Sequence, residues 1–205
     1  MGRWEPNARG RLEQAALGLY AERGFDNTTV AEIAERAGLT ERTFFRHFAD
    51  KREVLFAGAG AFQQELVGTV ADAPDSLPPI DAVGEGLEAA AVLLQERRAF
   101  AQQRQAIIAA SAELRERELI KLATLATDLA GVLRDRGLED PAARLTGEIA
   151  IAVFRIAFER WIDDADQRCF PELIRESLNQ LKGLIGAQPP VVDATEHAAL
   201  AAPRS

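Results

Sequence analysis

The chain has 205 residues, 47% hydrophobic and 27% charged, enough for one large or two small units with a genuine core. No apolar run approaches the ~20 residues a bilayer crossing needs. The first residues lack an apolar signal stretch, and Cys169, as the single cysteine, excludes a disulfide framework or a thiolate zinc cluster, so a cytoplasmic protein without resident cofactor or metal is expected. The net charge of −8 is unevenly spread: residues 1–52 hold nine Lys/Arg against eight Asp/Glu, which leaves fifteen against twenty-four on the rest. Only this first quarter can approach a phosphate backbone without repulsion.

In chain order the pattern is helical throughout, with no sustained period-two alternation, so an all-α fold of about nine helices is expected. Leu12, Ala15, Ala16 and Leu19 form one apolar stripe, stopped by Gly24. Thr29-Val30-Ala31-Glu32 has the spacing of a capping box and opens a short helix with Val30, Ile33, Ala34 and Ala37 inward, ended by Gly38. Thr40 caps a third helix, and Asp50-Lys51-Arg52-Glu53 reads as a second capping box that opens a longer fourth helix, fading near Ala71 before Pro74, Pro78 and Pro79. Further helices are expected over 80–96, 98–110, 112–136, 140–164 and 171–185, with Asp140-Pro141 as an N-cap followed by proline. From Gln188 the composition turns to Pro, Ala and polar residues without period, which predicts a disordered tail over 188–205. The expected organisation is a head, 1–50, a helical body, 51–187, and that tail.

Three short, well-punctuated helices fit a helix-turn-helix, with Ala37-Gly38-Leu39-Thr40 as the tight connection. Phe44 and Phe48, at i and i+4, belong inside against Leu12, Ile33 and Leu39, which leaves Arg42, Thr43, Arg46 and His47 outside. A helix in the major groove needs such donors: Arg42 for a bidentate fork to guanine, Thr43 for a base edge or a thymine methyl. Lys51 stands where an ammonium and free helix amides jointly hold a phosphate. His47 reads equally well as a ring filling space beside Phe48.

The stretch from Gly24 to Leu55, GFDNTTVAEIAERAGLTERTFFRHFADKREVL, resembles the signature of the TetR family of regulators in Gly24-Phe25, Thr28-Thr29-Val30, Ile33-Ala34, Ala37-Gly38-Leu39-Thr40, the Thr43 to Phe48 run and Lys51. The resemblance implies a three-helix DNA-binding head and a larger domain that dimerises and takes a small effector, with DNA-contacting roles for Thr29, Thr40, Arg42, Thr43, Phe45, His47 and Lys51. Phe45 stands where many relatives carry tyrosine, so a phenolic phosphate contact is lost there, and Arg46 is the expected substitute. The run from Arg104 to Leu119 resembles members grouped with the mycofactocin-system regulator, which implies an elongated apolar effector such as an acyl thioester.

In the body, residues 149–158 are apolar nearly all round a helix and must be covered on both sides. A homodimer interface is expected from Ile151, Phe154 and Arg155 with Ile174, Leu178, Leu181 and Ile185 of the last helix, matching the two-fold symmetry of a pseudo-palindromic operator. Phe62, Leu66, Leu87, Phe100, Gln103, Ile107, Leu122, Phe158 and Trp161 are the expected lining of an effector pocket, though such stripes are core more often than ligand box. The function expected is ligand-released repression at operator DNA, with a helical ligand-binding or scaffold protein as the rival. An enzyme is disfavoured: His47 and His197 are the two histidines, HExxH, P-loop and GxSxG patterns are lacking, and Asp163, Asp164 and Asp166 read as a solvated helix end.

Overall fold

The computed structural model describes residues 7–186, so the expected tail lies outside the described residues. Among them the chain forms nine α-helices and one short 3-10 turn, with no strand. The head comprises α1 (Ala8–Arg23), α2 (Val30–Arg36) and α3 (Glu41–His47); the body comprises α4 (Ala59–Asp72), α5 (Pro79–Gln95), α6 (Arg98–Ala110), α7 (Ala112–Asp135), α8 (Asp140–Asp163) and α9 (Phe170–Gly186).

The caps set the head's register. The Thr29 hydroxyl accepts from the Glu32 amide at 3.3 Å while the Glu32 carboxylate takes the Thr29 amide at 2.8 Å, completing the capping box. Thr40 accepts from the Thr43 amide at 3.2 Å. Gly38 turns between them at φ 65°, a left-handed backbone that any side chain would strain. Phe44 is fully buried and Phe48 nearly so, in one cluster with Leu12 and Ile33 and with Leu39 packed against it.

The fourth helix departs from expectation. Asp50 does cap, taking the amides of Arg52 and Glu53 at 2.8 and 3.2 Å, but the Glu53 carboxylate does not reach back to it. Glu53 instead pairs with Arg117 and Lys121 of α7, the backbone makes a four-residue 3-10 turn over Glu53–Phe56, and α4 begins only beyond Gly58. Glycines at 58 and 60 weaken helix propagation there, while the pull of α7 on the turn supplies a competing geometry.

Two apolar clusters result. The body cluster joins α4, α5, α7, α8 and α9 around Leu66, Leu87, Leu129, Trp161 and Phe170. Gly147 lets α8 lie directly on α7, since a Cβ there would meet the Ala126 carbonyl at 2.5 Å. The head cluster is not confined to the head: Val54, Leu55 and Phe56 of the turn belong to it, as do Ile107, Ile108 and Leu114 from the corner between α6 and α7.

Several expected interface residues are interior. Ile151, Ile174 and Leu178 are buried within the chain itself, and Phe154 meets Phe62 at 4.9 Å and Phe170 at 6.0 Å. The outward stripe of α8 is instead Leu145, Ala152 and Ile156, and that of α9 ends in Leu184 and Ile185, with Leu181 half-buried. A helix apolar all round gives no periodic signal for which side faces its own domain, and the expected face was one residue out of phase.

Candidate nucleic-acid interface and effector cavity

On α3 the sequence splits by face as a 3.6-residue repeat requires. Arg42, Phe45 and Arg46 are exposed, Phe45 at 55%, and Thr43 is half-buried beside Thr40. Arg42 and Arg46 make no hydrogen bond or ion pair among the described residues, whereas the other outer arginines are paired, Arg36 with Glu22 at 2.7 Å and Arg23 with Glu32 at 2.8 Å. Two unpaired guanidiniums on one short helix therefore stand ready for an external anion. The Thr29 and Thr40 hydroxyls are engaged in caps, although both residues are exposed. Phe45 offers an apolar ring held edge-on to Phe44, with centroids 5.5 Å apart.

His47 takes the second of its two expected placements, its ring 6.5 Å from that of Phe48, and Lys51 is placed otherwise than expected. His47 lies off the outer face; its Nε2 is buried without a partner and the ring borders a cavity between head and body. The Lys51 ammonium donates to the carbonyls of Phe25 and Thr28, each at 2.9 Å, and sits 4.3 Å from the centre of the Phe25 ring. It thus closes the α1–α2 connection, and its own carbonyl accepts from the Tyr20 hydroxyl at 2.7 Å. Burial, reinforced by nearby Asp50, pushes the Tyr20 phenol far above its ordinary value, so it stays a neutral donor.

The cavity has a volume of about 880 Å³, within the range of small-molecule sites. Part of its lining is apolar and aromatic: Phe62, Phe100, Leu122, Leu125, Phe154 and Phe158. Another part is ionic. Arg104, partly buried, donates to the Leu55 carbonyl at 2.7 Å and to Glu118 at 3.0 Å, and desolvation lowers its pKa despite that carboxylate. Glu53 pairs with Arg117 and Lys121 at 2.6 and 3.0 Å. Burial opposes the ionisation of Glu53, yet the hydrogen bonds of Lys121 and Arg117 outweigh it and hold the carboxyl below the usual glutamate value. Among the described residues no cluster suited to a metal is present.

Residues 13–57 match the sequence profile of the bacterial regulatory proteins of the tetR family, and residues 77–185, more than half of the chain, match the profile described as the MftR C-terminal domain. The chain belongs to the TetR family. Among its relatives, the HTH-type transcriptional regulator TcmR of Streptomyces glaucescens is 35% identical over 81 residues, 40% of this chain. That match spans 36% of TcmR, about a third of its length. The triclosan complex of SmeT, a repressor from Stenotrophomonas maltophilia, superposes with a TM-score of 0.61 at 22% identity, covering 86% of this chain and 90% of SmeT. FadR from Bacillus subtilis in complex with stearoyl-CoA gives 0.58 at 19% identity, over 84% and 96% of the two chains. At these identities the likeness to SmeT and FadR establishes the fold. The TetR family comprises transcription regulators, not enzymes.

Within this TetR fold the expected pocket lining divides. Phe62, Phe100, Leu122 and Phe158 border the cavity. Leu66 and Leu87 are fully buried body core, Trp161 is fully buried and stacked on Phe170 at 4.7 Å, Ile107 belongs to the head cluster, and Gln103 is exposed. On α6 the error is one of phase. The stripe 100, 103, 107 is a regular face turned to one side, whereas the cavity takes Arg97, Phe100, Ala101, Arg104 and Gln105, an i, i+3, i+4, i+7, i+8 set on the neighbouring face. Arg155, expected at the dimer face, also borders the cavity. What sequence reasoning missed is the ionic part: Glu53, Arg104, Arg117, Glu118 and Lys121. Arg117 and Lys121 are two like charges at i and i+4, a pattern that a solvated helix face also shows, and their partner Glu53 lies more than sixty residues away.

Proposed function

We propose that the protein is a homodimeric repressor that binds a pseudo-palindromic operator through α3 and leaves it when a small, largely apolar effector fills the cavity. The observation that carries this reading is the pair of unpartnered guanidiniums, Arg42 and Arg46, on the outer face of a capped helix in a helix-turn-helix. Arg42 and Thr43 are assigned to base edges, Arg46 to phosphate, and Phe45 to apolar contact with a thymine methyl or sugar.

The dimer face is assigned to the outward stripes of α8 and α9. Leu145, Ile156, Leu184 and Ile185 are 62%, 53%, 77% and 71% exposed, an apolar load that two-fold pairing removes from water. The cavity supports ligand control because its wall is shared: His47 and Phe48 come from the head, Phe154 and Phe158 from the body. An effector that prefers one spacing of the heads shifts operator affinity by its differential affinity for the two conformers. Acyl thioesters are the first ligands to try, given the C-terminal family match and an aromatic part of the cavity lining.

Selection of bound sequences from random DNA tests the reading. Enrichment of an inverted repeat with half-sites about one helical turn apart is expected, together with a dimeric mass in sedimentation. Recovery of no common sequence, from a protein that nevertheless binds acyl thioesters, favours the ligand-binding module without DNA.

A further inference from the structure

The ionic part of the cavity does not look like a lining that happens to be polar. The Glu53 carboxylate is coordinated as a bound ligand would be: Oε1 takes Nε and Nη2 of Arg117 at 2.8 and 2.6 Å, and Oε2 takes Lys121 Nζ at 3.0 Å. The two cations come from α7 and the carboxylate from the 53–56 turn, so the pair bridges separate parts of the molecule. The cavity lining as a whole holds seven Lys/Arg against four Asp/Glu on a chain whose net charge is −8. A cationic cavity in an acidic protein focuses its field on anions. Gln105 adds a buried carboxamide oxygen without a partner, and Arg155 a guanidinium with none.

We propose that Arg117 and Lys121 form an anion seat which the protein's own Glu53 carboxylate occupies until the headgroup of an amphipathic anion replaces it, freeing the 53–56 turn. The apolar lining includes Leu122 and Leu125, one and four residues beyond Lys121 on α7, so head and tail of such a ligand address the same helix. Replacement is feasible because Glu53 stands on a 3-10 turn, the weaker helical geometry, and its partners are partly solvated, so the bond it gives up is modest. The consequence reaches the head directly. Val54, Leu55 and Phe56 are packed in the head cluster, and Lys51, just upstream, closes the α1–α2 connection.

Carboxylate and phosphate headgroups share the chemistry required. The seat itself is tested without DNA; only its consequence rests on the function proposed above. Calorimetric titration of the full chain with dodecanoate, dodecyl phosphate and dodecanol compares two charged heads and a neutral one on one tail. Expected is binding of at least one anion about tenfold tighter than dodecanol, the size of an ordinary coupling, the preferred head identifying which anion the seat suits. Glu53→Gln, which removes the internal competitor, should tighten that anion by about tenfold and Lys121→Gln weaken it by about tenfold, with dodecanol unchanged in both. Melting curves confirm that each variant is folded, and Lys121→Gln alone decides the matter should Glu53→Gln fail to fold. Dodecanol binding as tightly as the anions, no binding by any of the three, or a charged-to-neutral ratio unmoved by the folded variants overturns the seat. A working seat in a protein that selects no DNA sequence overturns the regulator and leaves the seat standing.

Discussion

The outer face of α3 and the turn that follows it use the same residue types to opposite ends. Arg42 and Arg46 have no partner among the described residues. Lys51, Arg52 and Glu53 are held on all sides, Arg52 by Asp50 and Glu113, Glu53 by Arg117 and Lys121, Lys51 by backbone carbonyls. Cations without partners retain their full capacity to bind an external polyanion; cations already hydrogen-bonded fix geometry and must give something up to bind anything else. The head therefore divides into a surface of unpartnered cations and, a few residues apart, a turn whose cations hold the chain in place. Under the function proposed above, the first is the reading face and the second the hinge.

The strongest way to break this division is on α3 itself. Phe44→Ala, at a fully buried position, should cost about 3–5 kcal/mol in denaturant unfolding, whereas Phe45→Ala, with its ring half in water, should change stability by less than about 0.5 kcal/mol. Similar losses for the two would mean that the helix is not split into an inner and an outer face. Next in size is Arg42→Ala, expected to weaken the selected operator by about 1–3 kcal/mol in gel-shift titration while the melting temperature stays put. Tight operator binding by this variant would move the reading residues to another register.

How far the sequence carries depends on which of these two regions is asked about. The inner and outer faces of α3, the caps at Thr29 and Thr40 and the turn at Gly38 follow from local rules, because a cap or a left-handed glycine involves residues within four positions of one another. Apart from the start of α4, the helices of the body were equally legible as elements, down to Pro141 near the start of α8. Their facing was not. Ile151 and Phe154 read the same as Ile156 until the packing of Phe62 and Phe170 selects a side. Glu53 likewise had the spacing of a capping partner for Asp50, and Arg117 and Lys121, more than sixty residues later, won the competition. Contacts of that separation leave no periodicity to read, so the ionic part of the cavity emerged only from the fold.

Lys51 sharpens the comparison from the hinge side. If its ammonium mainly positions, Lys51→Met leaves the Phe25 and Thr28 carbonyls without their donor and should lower unfolding stability by about 1–2 kcal/mol. Were it a phosphate contact alone, the melting temperature would hold and DNA affinity would fall uniformly across sequences. A loss of stability with retained affinity at low temperature assigns it to the hinge.

The smallest effect separates the two regions by pH. The Glu53 carboxyl lies below its ordinary value in the folded chain, because the hydrogen bonds of Lys121 and Arg117 outweigh the burial that opposes its ionisation. A depressed carboxylate contributes stability that is complete above its unfolded value, about 4.3, and lost as pH falls through the folded one. Partial exposure of the pair limits that contribution to less than about 1 kcal/mol. Glu53→Gln lacks it at any pH, so the gap in stability between wild type and variant should be open at pH 6 and close towards pH 3. Asp50, lowered chiefly by its hydrogen bond to Arg52, titrates over the same acid range but is common to both proteins and cancels in the difference. Arg42→Ala should show no such gap, since Arg42 has no carboxylate to release. A gap for Glu53→Gln that stays constant into acid would mean the carboxylate is not held by its cations, and the hinge would then differ from the reading face in packing alone.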